Sequence, residues 1–217
     1  DLNGDNFDDV IIGANTYSGS TGRAFIFLGG SPMNTVIDLT MTGIGTFNEL
    51  GKSVSGAGDV NNDGYDDFIV GSPGNSSGNG RANIYFGGSI LNNVADIITT
   101  GQAASGYFGT SVSGAGDVNN DSFDDVIIGA YGLNSNDGRI YVYYGGSPMN
   151  NTADVTISGS GTGDFGYSVS DAGDVNNDGY DDVMAGAPSS GAGSMFVYYG
   201  GASMDTIADK TAAGEYA

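Results

Sequence analysis

The chain has 217 residues, of which 39% are hydrophobic and 40 are glycine, and it contains neither cysteine nor histidine. Disulfides, thiol nucleophiles, zinc sites built on these residues and His-based triads are therefore excluded. With 26 acidic residues against five basic ones the formal net charge is −21, which argues against nucleic acid or an anionic membrane as a partner, because both require a basic surface.

An acidic nine-residue loop opens the chain and recurs at a nearly fixed interval. Its first copy is residues 1–9 (DLNGDNFDD), and the later copies, 59–67, 117–125 and 174–182, follow at steps of 58, 58 and 57 residues. A period of this kind indicates a structural repeat, so the length of the chain counts repeats, just under four of them. The predicted repeats are residues 1–49, 50–107, 108–164 and 165–217.

Oxygen-bearing residues alternate along each loop. Side-chain oxygens at positions 1, 3, 5 and 9 can converge where the chain curls back at position 6, and a hard cation makes that convergence favourable. The backbone carbonyl of position 7 is the fifth expected ligand, and water completes the shell. We therefore predict about four Ca²⁺ ions, one per loop. The predicted ligands are Asp1, Asn3, Asp5, Phe7 and Asp9; Asp59, Asn61, Asp63, Tyr65 and Asp67; Asp117, Asn119, Asp121, Phe123 and Asp125; and Asp174, Asn176, Asp178, Tyr180 and Asp182.

The loops have two other possible interpretations. An EF-hand needs an acidic residue at position 12, where Val70 and Ile128 stand in predicted strands, so that interpretation is excluded. For a single copy, a plain hairpin turn closed by Asn and Asp side chains stays open. Four acidic copies argue against it, because unneutralised carboxylates this close repel by roughly a kcal/mol or more per pair.

The four loops are not expected to be equivalent. Position 6 should need a left-handed backbone, which Gly64 and Gly179 adopt freely and Asn6 tolerably, whereas Ser122 loses about 1 kcal/mol. Loops two and four should therefore bind most tightly. The carboxylate at position 8 either supports the ligands or lies on the surface. The arginines that recur at residues 23, 81 and 139 either pair with loop acids or only solubilise a strand end.

Four strands are predicted in each repeat, and residues 109–164 show them best. A segment of small residues, 110–115, precedes the loop, and a β-branched run too short for a helix, 126–130, follows it. After a Gly/Asn/Ser-rich connection comes an aromatic run, 139–144, which is apolar on both faces and should be covered on both sides. A Gly-Gly turn and a recurring aspartate then lead into a weaker, Thr-rich fourth strand.

A sheet of this kind cannot bury both faces alone, and stacking on its neighbours solves that problem. The small first strand suits the crowded innermost position of a radial array, and the aromatic third strand fills the wedge between sheets. The sequence thus predicts an all-β protein, a single β-propeller region of four-stranded antiparallel blades over residues 1–217. The first repeat lacks its inner strand, so we expect part of a larger ring, closed by missing blades or by further copies.

At this point the residues carry a family resemblance. Phe108-Gly109 and Phe165-Gly166 before the loop, and Gly186-Ala187-Pro188 after it, resemble the FG-GAP repeat of integrin α-subunit β-propellers and their bacterial relatives. Leu50-Gly51 departs from the first pair, and residues 13–15, 71–73 and 129–131 depart from the triplet. The resemblance implies that the loop joins the first and second strands of a blade and binds Ca²⁺.

The expected function is a calcium-stabilised adhesion or binding module that takes a protein or glycan ligand through the loops of one face. We expect it to be secreted, because millimolar calcium is found outside cells, and not to insert into a membrane, because no apolar run approaches 18 residues.

The alternative is a carbohydrate-active protein on the same scaffold, either a polysaccharide lyase or hydrolase, or a lectin. In a lectin, exposed tyrosines would stack on sugars, although packing between blades is the favoured role of each; these are Tyr17, Tyr107, Tyr131 and Tyr167. Every conspicuous carboxylate pair lies in a calcium loop, so no catalytic residue is assigned and no enzyme is expected.

Overall fold

A computed structural model describes residues 1–161 and 163–215 of the chain. Within these residues the fold is all-β, with fifteen strands in four antiparallel sheets that follow one another along the sequence. One sheet has three strands and three sheets have four. The predicted propeller blades are confirmed, and so is the missing inner strand of the first repeat. Thr162 and the last two residues of the fourth predicted repeat lie outside the described residues.

Each sheet runs in sequence order from its first strand to its last. The first blade contains β1 (Val10–Ala14), β2 (Arg23–Phe27) and β3 (Leu39–Thr42). The second contains β4 (Val54–Gly58), β5 (Asp67–Ser72), β6 (Arg81–Tyr85) and β7 (Ile97–Thr100). The third contains β8 (Ser111–Gly116), β9 (Asp125–Gly129), β10 (Arg139–Tyr143) and β11 (Val155–Ser158). The fourth contains β12 (Ser168–Gly173), β13 (Asp182–Ala187), β14 (Ser194–Tyr198) and β15 (Lys210–Ala213).

Short helical turns connect the second and third strands of a blade. In the first three blades they are α1 (Tyr17–Ser20), α2 (Asn75–Gly78) and α3 (Leu133–Asn136). Their central residues are left-handed, as at Ser76 (φ 50°) and Ser77 (φ 61°), so each is a tight turn that does not continue as a right-handed helix. No helix among the described residues is long and apolar enough to span a membrane.

The first strands of neighbouring blades lie against one another, which identifies them as the inner strands. The Ser53 hydroxyl accepts a hydrogen bond from Val112 N–H at 3.1 Å, and the Ser111 hydroxyl accepts one from Val169 N–H at 3.0 Å. The serine, glycine and alanine residues of these strands permit the close approach; a Cβ added at Gly114 would lie 2.9 Å from the Gly56 carbonyl oxygen of the neighbouring blade. The small-residue pattern of β4, β8 and β12 is thus explained by the crowding at the centre of the array.

The hydrophobic core lies between blades and not within one. Each of three clusters draws on two neighbouring sheets; the middle one joins Val60 and Ile69 of the second blade to Phe108, Val126 and Tyr141 of the third. Strands β6 and β10, which have a blade on either side, are buried over four of their five residues, as predicted for strands covered on both faces. A blade therefore depends on its neighbours for stability.

The Phe-Gly pair and the glycine near the end of the second strand meet across each junction. Gly109 has φ +83°, and an added Cβ would overlap the Arg81 carbonyl of the preceding blade; an added Cβ at Gly71 would likewise overlap the Gly109 carbonyl. The Gly109 N–H also donates to the Gly129 carbonyl at 3.0 Å. The aromatic partner of the pair, Phe108, is buried and packs edge-on to Tyr141. Glycine is thus required here by both backbone conformation and close approach.

Candidate metal centres

The acidic loops join the first and second strands of a blade, as the resemblance implied. In the second, third and fourth blades they connect β4 to β5, β8 to β9 and β12 to β13. The Gly-Gly turns between the third and fourth strands lie at the same end of the sheets, because antiparallel strands bring alternate connections together. This end of the molecule therefore carries the conspicuous acidic clusters of the sequence.

Position 9 is the most buried acidic position. Asp67, Asp125 and Asp182 have no exposed surface. Asp67 accepts hydrogen bonds on both oxygens, from Val60 N–H at 2.9 Å and from Gly87 N–H at 2.7 Å. The other three loops repeat this pair of contacts. The carboxylate thus joins its own loop to the Gly-Gly turn, a role that the sequence analysis did not assign to either.

These carboxylates are held in an unfavourable environment. Burial raises the pKa of Asp67 to about 7; acids of the same loop add to the rise, and the two backbone N–H bonds oppose it. Burial likewise raises the pKa of Asp125 to about 7 and raises the pKa of Asp182. A cation beside such a carboxylate replaces its lost hydration and favours the ionised form.

Positions 1 and 5 close each loop on itself. Asp59 accepts hydrogen bonds from the N–H of Asp63 at 3.0 Å and of Gly64 at 2.7 Å, and Asp63 accepts one from Tyr65 N–H at 3.1 Å. The other loops share this pattern. The hairpin interpretation expects these contacts between aspartate side chains and the backbone of the same turn. The observed loop therefore contains the hairpin geometry.

Two positions in each loop have left-handed backbone. The prediction for position 6 is confirmed by Asn6 (φ 67°), Gly64 (φ 91°), Ser122 (φ 74°) and Gly179 (φ 93°). Position 4 is left-handed as well, at Gly4 (φ 75°), Asn62 (φ 56°), Asn120 (φ 59°) and Asn177 (φ 60°), and this was missed. The available signal was that position 4 holds only glycine or asparagine, the residues that adopt this conformation most readily.

In the second and third loops, position 3 carries an oxygen that lacks a donor, whereas the Oδ1 atoms of Asn3 and Asn176 accept from the N–H of Asp5 at 2.9 Å and of Asp178 at 2.8 Å. The Oδ1 atoms of Asn61 and Asn119 are buried and accept no hydrogen bond from the described residues. In the third loop the amide of Asn119 donates to Asp121 at 2.9 Å, so its Oδ1 faces away from that contact. A buried acceptor without a partner normally loses stability, unless something not present in the protein chain satisfies it.

The oxygen atoms of the loops suit a hard cation, although their side chains do not converge on one point in this structure. In the part of the chain that the structure describes, no group of three or more acidic side chains forms a preformed metal cluster. Each ionised carboxylate offers about four lone-pair sites, so those that accept two N–H bonds retain acceptor capacity. Carboxylate, amide and carbonyl oxygens, with no nitrogen or sulfur ligand, are the set that Ca²⁺ prefers.

The recurring arginines do not pair with loop acids in the described residues. The only ion pair within 4.0 Å there joins the amino group of Asp1 to Asp66. The Arg23 guanidinium instead lies 3.8 Å from the ring centre of Tyr17, and Arg139 donates to Ser158 at 3.0 Å and to Gln102 at 3.1 Å. Each of the three is the first residue of the third strand of its blade.

A cluster of tyrosines lies at the opposite end of the sheets. Tyr107 and Tyr131 stack with ring centroids 5.3 Å apart and planes inclined by 9°, and Tyr167 lies 5.3 Å from Tyr131 at 60°. The three rings line an open cleft of about 250 Å³ with Glu49 and Lys52. The tyrosines contact one another across two blades, as expected, and also leave ring surface exposed. We call this surface the tyrosine cleft.

Comparison with known proteins gives a consistent family. The FG-GAP repeat profile matches residues 51–85, 108–143 and 165–203, which is about half of the chain. Integrin alpha-5 of Xenopus laevis is 30% identical over 73% of this chain and 16% of its own length. Integrin alpha pat-2 of Caenorhabditis elegans is 30% identical over 88% of the chain and 17% of its length. Integrin alpha-IIb of Mus musculus is 32% identical over 61% and 14%. The chain thus spans less than a fifth of these relatives.

Proposed function

Since the chain belongs to the FG-GAP repeat family of integrin α-like β-propellers, we propose that it is an extracellular binding module whose blades are held in register by calcium. The adhesion-type scaffold follows from the family. Calcium binding, the extracellular setting and the ligand are the steps proposed here.

The observation that carries calcium binding is the pair of unsatisfied amide oxygens at Asn61 and Asn119. Each lies between two aspartates in a loop that collects carboxylates against their mutual repulsion, and a dication satisfies the amide oxygen and neutralises the acids together. The expected ligands are those at positions 1, 3, 5, 7 and 9 of each loop. When bound, the ion supplies charge neutralisation and fixes the turn between the first and second strands.

The magnitude favours a structural role for the ion. With 1 mM calcium and a dissociation constant near 10⁻⁴ M, each site stabilises the fold by about 1.4 kcal/mol. Four such sites contribute about 6 kcal/mol, which is comparable to the net stability of a whole domain. Calcium at this concentration is available outside cells, which supports the proposed extracellular setting.

The test is thermal unfolding of calcium-stripped protein titrated with CaCl₂, together with calorimetric counting of bound ions. We expect about four ions and a melting temperature that rises by many degrees. An Asn61→Leu/Asn119→Leu variant removes both unsatisfied oxygens, so it should bind fewer ions while losing little stability in calcium-free buffer. An unchanged melt and no heat of binding in the wild-type protein would refute calcium binding.

The ligand site that we propose is the tyrosine cleft, at the end of the sheets away from the acidic loops. Its aromatic surface and its flanking charges, Glu49 and Lys52, suit a protein segment with both apolar and charged groups. Binding there leaves the metal loops free for their structural role. A catalytic function is not proposed, because the acidic pairs are committed to the loops.

A second candidate ligand is a glycan, favoured by the stacked geometry of Tyr107 and Tyr131. Sugar rings pack their apolar faces on exposed aromatic rings, and two parallel rings offer such a face. A glycan array probed with the wild type and with Tyr107→Ala/Tyr167→Ala distinguishes the candidates. Signals that disappear in the variant support a lectin; a wild type that binds no glycan but captures protein ligands through these residues supports the adhesion module.

We also propose that further blades cover the two end sheets, supplied by a longer chain or by further copies. Position 2 of the loop shows the uncovered face: Val60 and Val118 are fully buried under the next blade, whereas Val175 of the last blade is 56% exposed. The mass of the particle in calcium, measured by light scattering, tests self-association. A monomer at all concentrations would exclude further copies as the covering partner.

A further inference from the structure

We propose that the aspartate at position 8 of a loop positions the calcium loop of the preceding blade and thereby couples ion binding at neighbouring sites. The proposal rests on the calcium binding proposed above and adds a connection between the loops. The residues concerned are Asp66, Asp124 and Asp181, which we call the junction aspartates.

Asp124 holds the first residue of the preceding loop at two points. Its Oδ2 accepts a hydrogen bond from Asp59 N–H at 2.8 Å, and its own N–H donates to the Asp59 carbonyl at 3.2 Å. Asp59 is the expected position 1 ligand of the second loop. Asp124 itself stands between the expected ligands Phe123 and Asp125 of the third loop. Asp124 is therefore adjacent in sequence to two expected ligands of the third loop and hydrogen-bonded to an expected ligand of the second loop. It links the two ion sites directly.

The same contacts recur at the other two junctions of the described chain. Asp181 Oδ2 accepts from Asp117 N–H at 2.9 Å, and Asp181 N–H donates to the Asp117 carbonyl at 3.2 Å. Asp66 accepts from the amino group of Asp1 and donates to the Asp1 carbonyl at 3.2 Å. No described residue donates a hydrogen bond to Asp8, and the structure contains no blade before the first. The contact thus occurs where two blades meet and is not a property of position 8 alone.

The glycine before position 1 leaves the space that a junction aspartate occupies. An added Cβ at Gly58 would overlap Asp124 Oδ2, and one at Gly116 would overlap Asp181 Oδ2. At Gly173, beyond which the structure has no further blade, an added Cβ meets no atom within 4 Å. The φ angles of the three glycines are +70°, +64° and +63°, so crowding and not backbone conformation distinguishes them.

Coupling follows from these contacts because binding at one loop orders part of the next. An ion held by Phe123 and Asp125 fixes the backbone on both sides of Asp124, and Asp124 in turn fixes Asp59. The second loop then loses less conformational entropy when it binds its own ion, which is positive cooperativity. Linkage requires the effect to be reciprocal, so an ion in the second loop also strengthens the third.

Terbium luminescence measures ion binding at the second loop, which is the loop that precedes Asp124 across the junction. Tb³⁺ is the probe, used in place of Ca²⁺, and it is excited through a tyrosine at position 7. The second loop has Tyr65 there and the fourth has Tyr180, whereas the third has Phe123. The Tyr65 ring also lies against Gly4 of the first loop, so the background is Asp5→Ala/Tyr180→Phe, which removes an expected first-loop ligand and the other position 7 tyrosine and leaves Tyr65 to report the second loop. We expect Asp124→Ala to weaken Tb³⁺ binding reported by Tyr65 about tenfold and to lower the Hill coefficient of calcium binding. Asp8→Ala is the matched control and should leave the Tyr65 signal unchanged.

The outcomes separate this inference from the calcium proposal. Wild-type binding with a Tyr65 signal that is the same in Asp124→Ala refutes the coupling and leaves calcium binding standing. A wild-type protein without any Tyr65 signal refutes both. If Asp124→Ala does not fold, Asp124→Asn is used, because its amide oxygen still accepts the bond; it should retain most of the affinity.

A second pair of variants tests the contact without changing any carboxylate. Gly58→Ala displaces Asp124 from Asp59, whereas Gly173→Ala imposes similar backbone strain with no junction aspartate to displace. Gly58→Ala should lower the Tb³⁺ affinity that Tyr65 reports. Gly173→Ala, combined with Tyr65→Phe, should lower the affinity that Tyr180 reports by a several-fold smaller factor. Equal losses in the two variants overturn the proposal.

Discussion

At the scale of single residues, the loops combine strained backbone, buried charge and unsatisfied oxygen within nine positions. The position 9 aspartate accepts two N–H bonds and has no exposed surface in the second, third and fourth loops, positions 4 and 6 are left-handed, and Asn61 and Asn119 lack a donor. Each feature alone lowers stability by about 1 kcal/mol or more. The proposed cation would account for their coincidence in one loop.

Removing the left-handed strain at position 6 of the third loop should strengthen its ion site. Ser122 has φ 74°, which costs a residue with a Cβ about 1 kcal/mol relative to glycine. Ser122→Gly should therefore raise calcium affinity at this loop about fivefold, measured by calorimetry. Gly179→Ser is the matched reverse change and should weaken the fourth loop by a similar factor. Unchanged affinities in both variants would remove the predicted ranking of the loops.

The pH dependence of stability should depend on the ion. The pKa of Asp67 and of Asp125 is raised by burial to about 7 in the folded chain, so without calcium the folded state binds protons more readily than the unfolded state. The stability from these groups is complete below about pH 4 and is lost as the pH rises through about 7. Calcium-stripped protein should melt at a higher temperature at pH 5 than at pH 8.

Calcium should shrink or reverse that difference, because protons compete with the ion for the same carboxylates. The Asp67→Asn/Asp125→Asn variant is the control, and its melting temperature should vary less with pH in calcium-stripped buffer. Calcium-stripped wild type that becomes more stable between pH 5 and pH 8 would contradict the assignment.

At the scale of the strands, the recurring glycines mark where two blades approach by backbone. The Phe-Gly pair places its phenylalanine in the core beside the aromatic third strand and its glycine against the preceding blade. The first glycine of each Gly-Gly turn likewise donates to the position 9 aspartate. Sequence spacing reveals that these glycines recur, and the contacts explain why a side chain is excluded.

Gly109→Ala should be much more destabilising than a change at a glycine with the same backbone conformation and free space. The added Cβ overlaps the Arg81 carbonyl, and φ is +83°. We expect a loss of about 3 kcal/mol or more in the free energy of unfolding, measured by urea denaturation. Gly45→Ala has φ +85° with no atom within 4 Å of its Cβ and should lose only about 1 kcal/mol. Similar losses would refute the close approach.

At the scale of the whole molecule, charge and core act against each other. The net charge is −21, and the acidic loops gather at one end of the sheets, so self-repulsion opposes the compact state. The core that resists it lies at the three junctions between blades. Stability should therefore be cooperative between neighbouring blades and sensitive to anything that screens or neutralises the loops.

Salt should stabilise the calcium-stripped protein and have less effect on the calcium-loaded one. Raising NaCl from 10 mM to 300 mM shortens the Debye length from about 30 Å to roughly 6 Å and screens repulsion between loops. The melting temperature in calcium-stripped buffer should rise over this range. The same titration in 2 mM CaCl₂ is the control. An equal rise there would show that calcium does not neutralise the repulsion that NaCl screens.

Much of the fold could be predicted from the sequence because the pattern of one blade occurs nearly four times in the chain. The period of the acidic loop, the β-branched run after it and the aromatic third strand together predicted antiparallel blades, and the pattern of β9 and β10 agrees with them. The missing inner strand of the first blade was also predictable. Residue alternation and repetition are local properties, so no knowledge of distant contacts was needed.

What the tertiary structure alone decided is which groups touch across a junction. The sequence placed an aspartate at position 8 without a role, and the fold brings Asp124 to the backbone of Asp59, 65 residues away. It also buried Asp67 against Gly87 and paired Tyr107 with Tyr131. Local patterns dictate which strands form, because they depend on neighbouring residues. The angle and distance at which separate sheets stack depend on the packing of whole surfaces, and only the assembled blades fix those contacts.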